Sequence, residues 1–257
     1  PRDDDKVATP VAVLDPLAEL YQALVTATGD YVRKSGFTDV SLGLSGGIDS
    51  ALVATVAADA LGAEHVHVVL MPSRYSSDHS VVDAEELATN LGIDTLTVPI
   101  ESAHTALSSE LVSSITGTLT SVADENLQAR IRGVMLMSLA NTFDWLVLTT
   151  GNKSEAAVGY STLYGDTVGA YAPIKDVYKT VVYELVRWRN ERDGAPVVPV
   201  SILKKAPSAE LRPNQRDDDS LPRYEVLDPL LEAYIEGDRT RVELVSDGFD
   251  ADLVEEV

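Results

Sequence analysis

The chain has 257 residues, 45% of them apolar, which suffices for a sizeable core and fits one large domain better than two. Its 20 basic and 41 acidic residues give a net charge of −21, and such a surface repels nucleic-acid phosphates and anionic lipids. It has no cysteine, which excludes a thiolate metal site or a cysteine nucleophile within this chain. Without a long apolar run or a signal-peptide pattern, we expect a cytoplasmic protein with no nucleic-acid or membrane partner.

Helix and strand patterns alternate along the chain. Asp15 is a suitable N-cap for a helix over Leu17–Tyr31, whose apolar residues fall on one face. Strands are predicted at Val40–Leu44, Val66–Leu70, Thr95–Val98 and Trp145–Thr149, and helices at Asp49–Leu61, Val81–Leu91 and Glu125–Asn141. This order predicts an α/β fold, a doubly wound parallel sheet with helices on both faces. Residues 1–12 are expected to be a linker remnant, and residues 13–257 the domain.

Polar segments follow three of the predicted strands. They are Ser45–Ser50, Met71–Ser77 and Thr149–Glu155. Ligands of such sheets bind beyond the carboxyl ends of the strands, which meet at one edge. We therefore expect the three segments to converge. The acidic run Asp217–Asp219, by contrast, is interpreted as a solvated loop.

The segment Leu42–Ser50 reads Leu-Gly-Leu-Ser-Gly-Gly-Ile-Asp-Ser and turns a strand abruptly into a helix. Such a turn aims backbone N–H groups and the positive end of the helix dipole at one point, which suits a polyphosphate. Gly46 and Gly47 let the backbone come close because neither has a Cβ. Asp49 is unsuited to touching phosphate but suited to holding Mg²⁺ between phosphate oxygens. The alternative is an ordinary connection in which Asp49 and Ser50 cap the helix.

A second polar segment, Thr150–Glu155, carries a hydroxyl, an ammonium and a carboxylate within six residues. If Glu155 lies opposite Asp49 across the sheet edge, the two carboxylates complete a Mg²⁺ site of the kind that phosphates share. The alternative for this segment is helix capping, with Ser154 as the N-cap.

The glycine-rich turn is neither a Walker loop nor a GxGxxG fingerprint. It resembles the Ser-Gly-Gly-x-Asp-Ser signature of the ATP pyrophosphatases, which cut ATP between the α and β phosphates. Five segments in the same order resemble NAD⁺ synthetase: Ser45–Ser50, Glu125–Arg132, Thr149–Glu155, Gly165-Asp166 with Ala172–Asp176, and Pro207–Gln215. The resemblance runs from about Leu14 to Glu236 and looks more like the synthetase domain of the glutamine-dependent form than the short ammonia-dependent form.

The resemblance implies an adenine nucleotide alpha hydrolase-like fold and specific site residues. Those implied for ATP are Gly43, Leu44, Ser45, Gly46, Gly47, Ile48, Asp49, Ser50, Thr150, Lys175 and Ser208. Those implied for deamido-NAD⁺ are Arg130, Glu155 and Asp166, with Asp49 and Glu155 holding Mg²⁺ and with Asp49, Glu155 and Lys175 as the catalytic set. Arg132 is either an ion-pair partner on its helix or a substrate contact. Without the resemblance, Asp166 is interpreted as a turn residue and Lys175 as a solvated lysine.

The activity implied is that of a C–N ligase. ATP would adenylate deamido-NAD⁺, and ammonia would then displace AMP to give NAD⁺, with Mg²⁺ as cofactor and pyrophosphate as the other product. Because a cysteine nucleophile is absent, we expect an N-terminal glutamine amidase domain only in the full-length protein. The resemblance to the glutamine-dependent form also implies a basic C-terminal segment there. A homodimer or higher homo-oligomer is also implied. The alternatives are another ATP pyrophosphatase, such as a GMP synthetase-like domain, and a non-catalytic nucleotide-binding module.

Overall fold

A parallel sheet of four strands forms the centre of the molecule. The computed structural model describes residues 14–257, so the linker predicted at residues 1–12 lies outside the described residues. The strands are β1 (Val40–Gly43), β2 (Val66–Leu70), β3 (Asp94–Thr97) and β4 (Leu146–Val147). They lie in the order β3-β2-β1-β4, and every pair is parallel. The predicted parallel sheet is confirmed.

The helices of the described chain include all those that the sequence predicted. They are α1 (Pro16–Lys34), α2 (Ile48–Leu61), α3 (Asp78–Leu91), α4 (Glu101–Ser114), α5 (Ser121–Phe143), α6 (Lys153–Val158), α7 (Lys179–Arg192), α8 (Val200–Lys204), α9 (Tyr224–Ile235), α10 (Arg241–Ser246) and α11 (Ala251–Glu256). Asp15 caps α1 as predicted, because its carboxylate accepts the N–H of Leu17 at 3.0 Å. Among the helices of residues 14–257, none is long and apolar enough to cross a membrane. The cytoplasmic location stays a prediction.

Helices cover both faces of the sheet, as the alternating pattern predicted. Successive strand residues point to opposite faces. Val68 of β2 belongs to a large core shared with α1, α2, α3 and α7, whereas its neighbour Val69 packs with Leu136 and Ala140 of α5 on the other face. β1, β2 and β4 are therefore largely buried on both sides, which explains their apolar runs, whereas β3, at one edge of the sheet, is exposed.

The fourth strand is shorter than the predicted Trp145–Thr149. Past Val147, Leu148 forms an isolated parallel bridge with Tyr171, and the N–H of Thr149 donates to the carbonyl of Tyr171 at 2.8 Å. The chain thus leaves the ladder to pair with a later segment. Because β2 and β4 flank β1 on opposite sides, the strand order reverses there, and a crevice opens beyond the end of β1.

Candidate active site

A cavity of about 510 Å³ opens at the carboxyl edge of the sheet. Its walls come from residues 43–45 and 47–50 at and beyond the end of β1, residues 71–72 and 76 after β2, and residues 149–151 after β4. The three polar segments therefore converge as predicted. Other walls come from α5, from Glu155 of α6, from Lys179 of α7, and from the stretches 159–168 and 205–217. Residues 43–50 are called the glycine loop below.

The glycine loop leads into α2 without a side-chain cap. Gly47 is the N-cap and α2 begins at Ile48, so the alternative in which Asp49 and Ser50 serve as caps is wrong. The hydroxyl of Ser50 donates to the carbonyl of Gly47 at 3.1 Å and accepts the N–H of Ser45 at 3.3 Å. The side chain of Ser50 thus braces the loop, while that of Asp49 is left to face the cavity.

Gly46 marks the point where the glycine loop meets the start of α3. Its φ of +74° is in the left-handed region, and a Cβ built there would lie 2.2 Å from the carbonyl oxygen of Ser80. Both observations require glycine. Gly46 does not itself line the cavity, so its close approach is to α3 and not to the space where a phosphate would lie.

Asp49 and Glu155 face each other across the cavity edge, with Lys179 between them. The Nζ of Lys179 contacts the Asp49 carboxylate and lies 3.3 Å from Oε1 of Glu155, and the lysine side chain is only 3% exposed. Asn152 holds both acids from the other side. Its side-chain amide donates to Asp49 at 2.9 Å, and its backbone N–H donates to Glu155 at 3.2 Å. The sequence predicted the opposed carboxylates but not the lysine.

The electrostatics of these three groups depend on one another. Burial, together with the charge of Asp49, raises the pKa of Glu155 to about 7 even though Lys179 opposes the shift. Burial alone would lower the pKa of Lys179, but the charges of Asp49 and Glu155 outweigh it and raise that pKa above its usual value. The lysine therefore stays charged at neutral pH and partly relieves the repulsion between the acids.

The structure places Lys179 at the cavity in place of the predicted Lys175. Lys175 is exposed and does not line the cavity. Lys179, four residues later, is the first residue of α7 and points into the cavity. A cation in the first turn of a helix opposes the helix dipole, so its position there needs an acidic partner. That anomaly at Lys179 was the local signal available in the sequence.

The helix after β4 is capped differently from the prediction. Asn152, not Ser154, is the N-cap of α6, and it forms a capping box with Glu155. Ser154 is buried instead, and its hydroxyl donates to Asp228 of α9 at 2.6 Å while accepting the N–H of Lys179 at 2.9 Å. Ser154 thus connects the starts of α6 and α7 to α9.

Asp228 completes this connection. It is 3% exposed, and its second carboxylate oxygen accepts both the N–H and the hydroxyl of Thr180 at 2.8 Å. These contacts satisfy donors in the first turn of α7, where backbone N–H groups have no partner within the helix. Asp228 therefore fixes the turn from which Lys179 enters the cavity.

Of the two arginines on α5, the structure places Arg132 in the cavity and not Arg130. Arg130 is exposed and donates to the carbonyl of Leu163 at 3.2 Å, so the predicted substrate contact of Arg130 is not supported by its position. Residues two apart on a helix do not share a face. Arg132 donates to the carbonyl of Met71 at 3.0 Å, and burial lowers its pKa to about 10 despite the charge of Glu210. Asp166 lines the cavity as predicted, and burial raises its pKa.

Asp217 contradicts the interpretation of residues 217–219 as solvated. It is 5% exposed, lines the cavity and accepts the hydroxyl of Tyr224 at 2.9 Å. Burial raises its pKa.

The predicted residues that line the cavity are Gly43, Leu44, Ser45, Gly47, Ile48, Asp49, Ser50, Thr150, Glu155, Asp166 and Ser208, and those that do not are Gly46, Arg130 and Lys175.

A metal ion at this site would need ligands from outside the protein. Residues 14–257 contain no cluster of three or more His, Cys, Asp or Glu side chains arranged to hold a metal. Mg²⁺, however, usually takes one or two carboxylates and completes its shell with water and substrate phosphates. Asp49 and Glu155 fit such an ion, because a cation there also relieves the repulsion that raises the pKa of Glu155.

Comparison with known proteins places the chain among related enzymes. Residues 20–257 match the family model described as NAD synthase. The chain is 50% identical to the glutamine-dependent NAD(+) synthetase of Rhodobacter capsulatus, over 97% of this chain and 47% of that protein. It therefore spans about half the length of the curated relatives it matches.

Solved structures agree with this match. The glutamine-dependent NAD⁺ synthetase of Acinetobacter baumannii, in complex with ADP, has a TM-score of 0.75 and 46% identity, over 98% of this chain and 45% of that one. The NMN synthetase of Francisella tularensis has a TM-score of 0.80 and 29% identity, over 95% and 92% of the two chains. The family match covers nearly the whole described chain and includes every wall of the cavity. This chain therefore belongs to the NAD synthase family.

Proposed function

We propose that this chain catalyses the ATP-dependent amidation of deamido-NAD⁺ to NAD⁺, with release of AMP and pyrophosphate. The observation that carries the proposal is the meeting of the glycine loop, the Asp49–Glu155 pair and Lys179 in one cavity of an NAD synthase domain. The cavity has both parts that the reaction needs, a loop suited to anions and a cation beside it. The enzyme is accordingly a ligase that forms a C–N bond.

The ATP triphosphate binds at the glycine loop in this proposal. The backbone N–H groups at the start of α2 and the hydroxyl of Ser45 face the cavity and suit phosphate oxygens. Thr150 and Ser208 line the same space. The ADP complex of the Acinetobacter baumannii relative supports an adenine nucleotide as the ligand.

Asp49 and Glu155 would hold Mg²⁺ beside the phosphates. When bound, the ion would supply positive charge to the departing pyrophosphate. Lys179 adds a second positive charge at the same place, because its ammonium lies between the two carboxylates and reaches the cavity. Arg132 and Asp166 line the side of the cavity toward α5 and are assigned to the dinucleotide.

The reaction follows from the chemistry of a carboxylate, which ammonia does not attack directly. A nicotinate carboxylate oxygen attacks the α-phosphorus, a C–O–P linkage forms, and the bond to the bridging oxygen breaks so that its electron pair leaves with pyrophosphate. Ammonia then attacks the carboxyl carbon, the C–O bond to AMP breaks, and the nitrogen loses a proton. The site accelerates these steps by positioning the reactants and neutralising charge.

Ammonia is the nitrogen donor that this chain can use. The chain has no cysteine, so it lacks the nucleophile by which a cysteine amidase would hydrolyse glutamine. The Rhodobacter capsulatus relative is named glutamine-dependent and is about twice as long as the matched region. We therefore assign glutamine hydrolysis to an amidase domain of the full-length protein.

A homodimer or higher homo-oligomer is part of the proposal. Large apolar side chains are exposed along α4 and α5, among them Leu107, Leu111, Val134, Met137 and Phe143. Exposed apolar patches mark association surfaces, and α4 and α5 contact each other, so their side chains can contribute to one surface. A second copy packing on α5 would lie close to Arg132, which is on the same helix and lines the cavity.

The test is to mix the purified chain with ATP, Mg²⁺, ammonium and deamido-NAD⁺ and to measure AMP and NAD⁺. Equal amounts of the two products are expected. Because the Francisella tularensis relative is named NMN synthetase, parallel reactions contain the deamidated mononucleotide, and others contain xanthosine monophosphate. Greater turnover of either alternative would reassign the acceptor. If the chain binds nucleotide but releases no AMP with any of these acceptors, the non-catalytic module is favoured.

A further inference from the structure

Glu210 lies in the wall of the cavity, where a carboxylate is unfavourable for a bound polyphosphate. We propose that Glu210 is a positioning residue of the nucleotide site, which holds Lys205 and Ser208 against the glycine loop through the two serines at the start of α3. The inference rests on the proposed function for the nature of the ligand. The contacts of Glu210 that support it were not predicted from the sequence motifs or from the Asp49–Glu155 pair.

The carboxylate of Glu210 gathers donors from two separate segments. It accepts the hydroxyl of Ser77 at 3.0 Å and that of Ser80 at 2.6 Å, both at the start of α3, and the ammonium of Lys205 at 2.8 Å. Its side chain is 18% exposed. Burial would raise the pKa of Glu210, but the bonds from Lys205 and Ser80 outweigh it and lower that pKa. The group is therefore a fixed anion at neutral pH.

These contacts hold the backbone of Glu210 in a conformation that is unfavourable for most residues. Glu210 has a φ of +51°, in the left-handed region that few residues other than glycine adopt. Such a conformation persists only where the surroundings determine it. The N–H of Glu210 donates to the hydroxyl of Ser208 at 3.1 Å, and Gln128, which is 1% exposed, donates to the carbonyl of Leu211 at 2.9 Å. The turn at residues 208–211 is thus held from both sides.

Ser80 also lies close to the glycine loop. The carbonyl of Ser80 is the atom that a Cβ on Gly46 would meet at 2.2 Å. Glu210 therefore joins the segment carrying Ser208 and Lys205 to a helix end that packs on the glycine loop. Lys205 and Ser208 both line the cavity. The ammonium of Lys205 also contacts the hydroxyl of Ser80, and Glu210 joins both groups, so that Lys205 and Ser208 are fixed relative to residues 45–50.

Because Glu210 is charged, the inference can be tested by whether its replacement raises or lowers the affinity for a polyphosphate. If the carboxylate acted only through its charge, replacing it with an amide would remove repulsion and tighten the binding of a polyphosphate. If Glu210 positions Lys205 and Ser208, the same change weakens binding, because the amide cannot hold the ammonium and both hydroxyls together. A purely electrostatic role and a positioning role of Glu210 therefore predict opposite changes in the affinity for a polyphosphate.

The experiment is calorimetric titration of the chain with ADP and Mg²⁺. We expect Glu210→Gln to raise the Kd for ADP by at least about tenfold, the scale of losing hydrogen bonds to a charged group. The matched control is Glu225→Gln, which removes the same charge from an exposed position at the start of α9 and should stay within about twofold. In the complete reaction, the KM for ATP should rise in Glu210→Gln while that for deamido-NAD⁺ changes little.

An unchanged or lower Kd in Glu210→Gln would overturn the inference, as would a wild-type chain that does not bind ADP. If Glu210→Gln does not fold, Ser80→Ala keeps the anion and removes one donor, and it should weaken ADP binding in the same direction. Amide hydrogen exchange without nucleotide should be faster at residues 206–211 in either variant, and unchanged exchange would contradict the positioning role. A wild-type chain that binds ADP but forms no NAD⁺ would refute only the proposed function.

Discussion

Lys179 and Asp49, which are 130 residues apart in the sequence, form an ion pair at the carboxyl edge of the sheet. Glu155 accepts from the same ammonium, so one lysine joins the starts of α2, α6 and α7. A buried pair of this kind costs desolvation and seldom stabilises a fold much. Its position in the cavity instead suggests a functional reason for keeping it, which leads to the first prediction.

Lys179→Met should lower turnover by at least about a hundredfold, because it removes a positive charge beside the departing pyrophosphate. Lys175→Met is the matched control, since it removes the same side chain from an exposed position four residues earlier. Its turnover should stay within about twofold of the wild-type value. AMP release measures both. A larger loss in Lys175→Met than in Lys179→Met would restore the assignment made from the motif.

Asp49→Asn should lower turnover by at least about a hundredfold and leave the fold intact, because a Mg²⁺ ligand acts mainly as pyrophosphate departs. The amide can still accept from Asn152, which bonds the carboxylate at 2.9 Å in the wild type. Circular dichroism checks the fold, and AMP release checks the rate. Normal turnover would show that Asp49 is not a ligand of the reacting complex.

Arg132→Ala should raise the KM for deamido-NAD⁺ by about tenfold or more and leave that for ATP nearly unchanged, because a charge-assisted contact is lost on the α5 side of the cavity. Arg130→Ala serves as its comparison, being exposed on the same helix. A smaller effect is expected there. If Arg130→Ala instead causes the greater rise, the dinucleotide reaches beyond the cavity of one chain to the exposed side of α5.

Glu155→Gln should stabilise the ligand-free chain most at high pH. Burial and Asp49 raise the pKa of Glu155 from 4.5 to about 7, so its charged form is penalised in the folded state. The stability contributed by this group is then lost as pH rises through that window, and the amide removes the penalty. The gain in Tm over the wild type should be larger at about pH 8 than at about pH 5. An equal gain in Tm at the two pH values would show that the pKa of Glu155 is not raised in the folded chain.

The chain alone should make no NAD⁺ from glutamine, because it has no cysteine nucleophile. With ammonium it should be active, and at fixed total ammonium the rate should climb with pH as more neutral ammonia forms. Glutamine and ammonium titrations at two pH values measure this. Synthesis from glutamine without any other protein would contradict the assignment of glutamine hydrolysis to a separate domain.

The sheet was predictable because its strands carry their own signal. Residues 66–70 are continuously apolar apart from His67, and β2 covers the predicted range without change. The unpredicted α4 shows the limit of such signals. It is rich in Ser, Thr and Ala, and His104 is its one buried residue in the structure, so the amphipathic pattern that would predict a helix is weak.

The site was less predictable than the sheet because its contacts join distant segments. The glycine loop and Glu155 were found from local motifs, and the structure brings them together. Asp217 had no local pattern that distinguished it from solvated neighbours, and the signal at Lys179, a cation in the first turn of a helix, depends on knowing where α7 begins. Their burial depends on contacts with distant segments, Lys179 with Asp49 and Asp217 with Tyr160, which no short window of sequence contains.

Asp228 extends the site far beyond the segments that line it. Its carboxylate holds Ser154 and Thr180, and through them the helix start that carries Lys179. A truncated chain ending before α9 would retain every strand and the entire glycine loop, yet the turn beneath Lys179 would lose its anchor. Shortening the protein at its carboxyl end would therefore disable catalysis from a distance, without removing any group that touches the substrates.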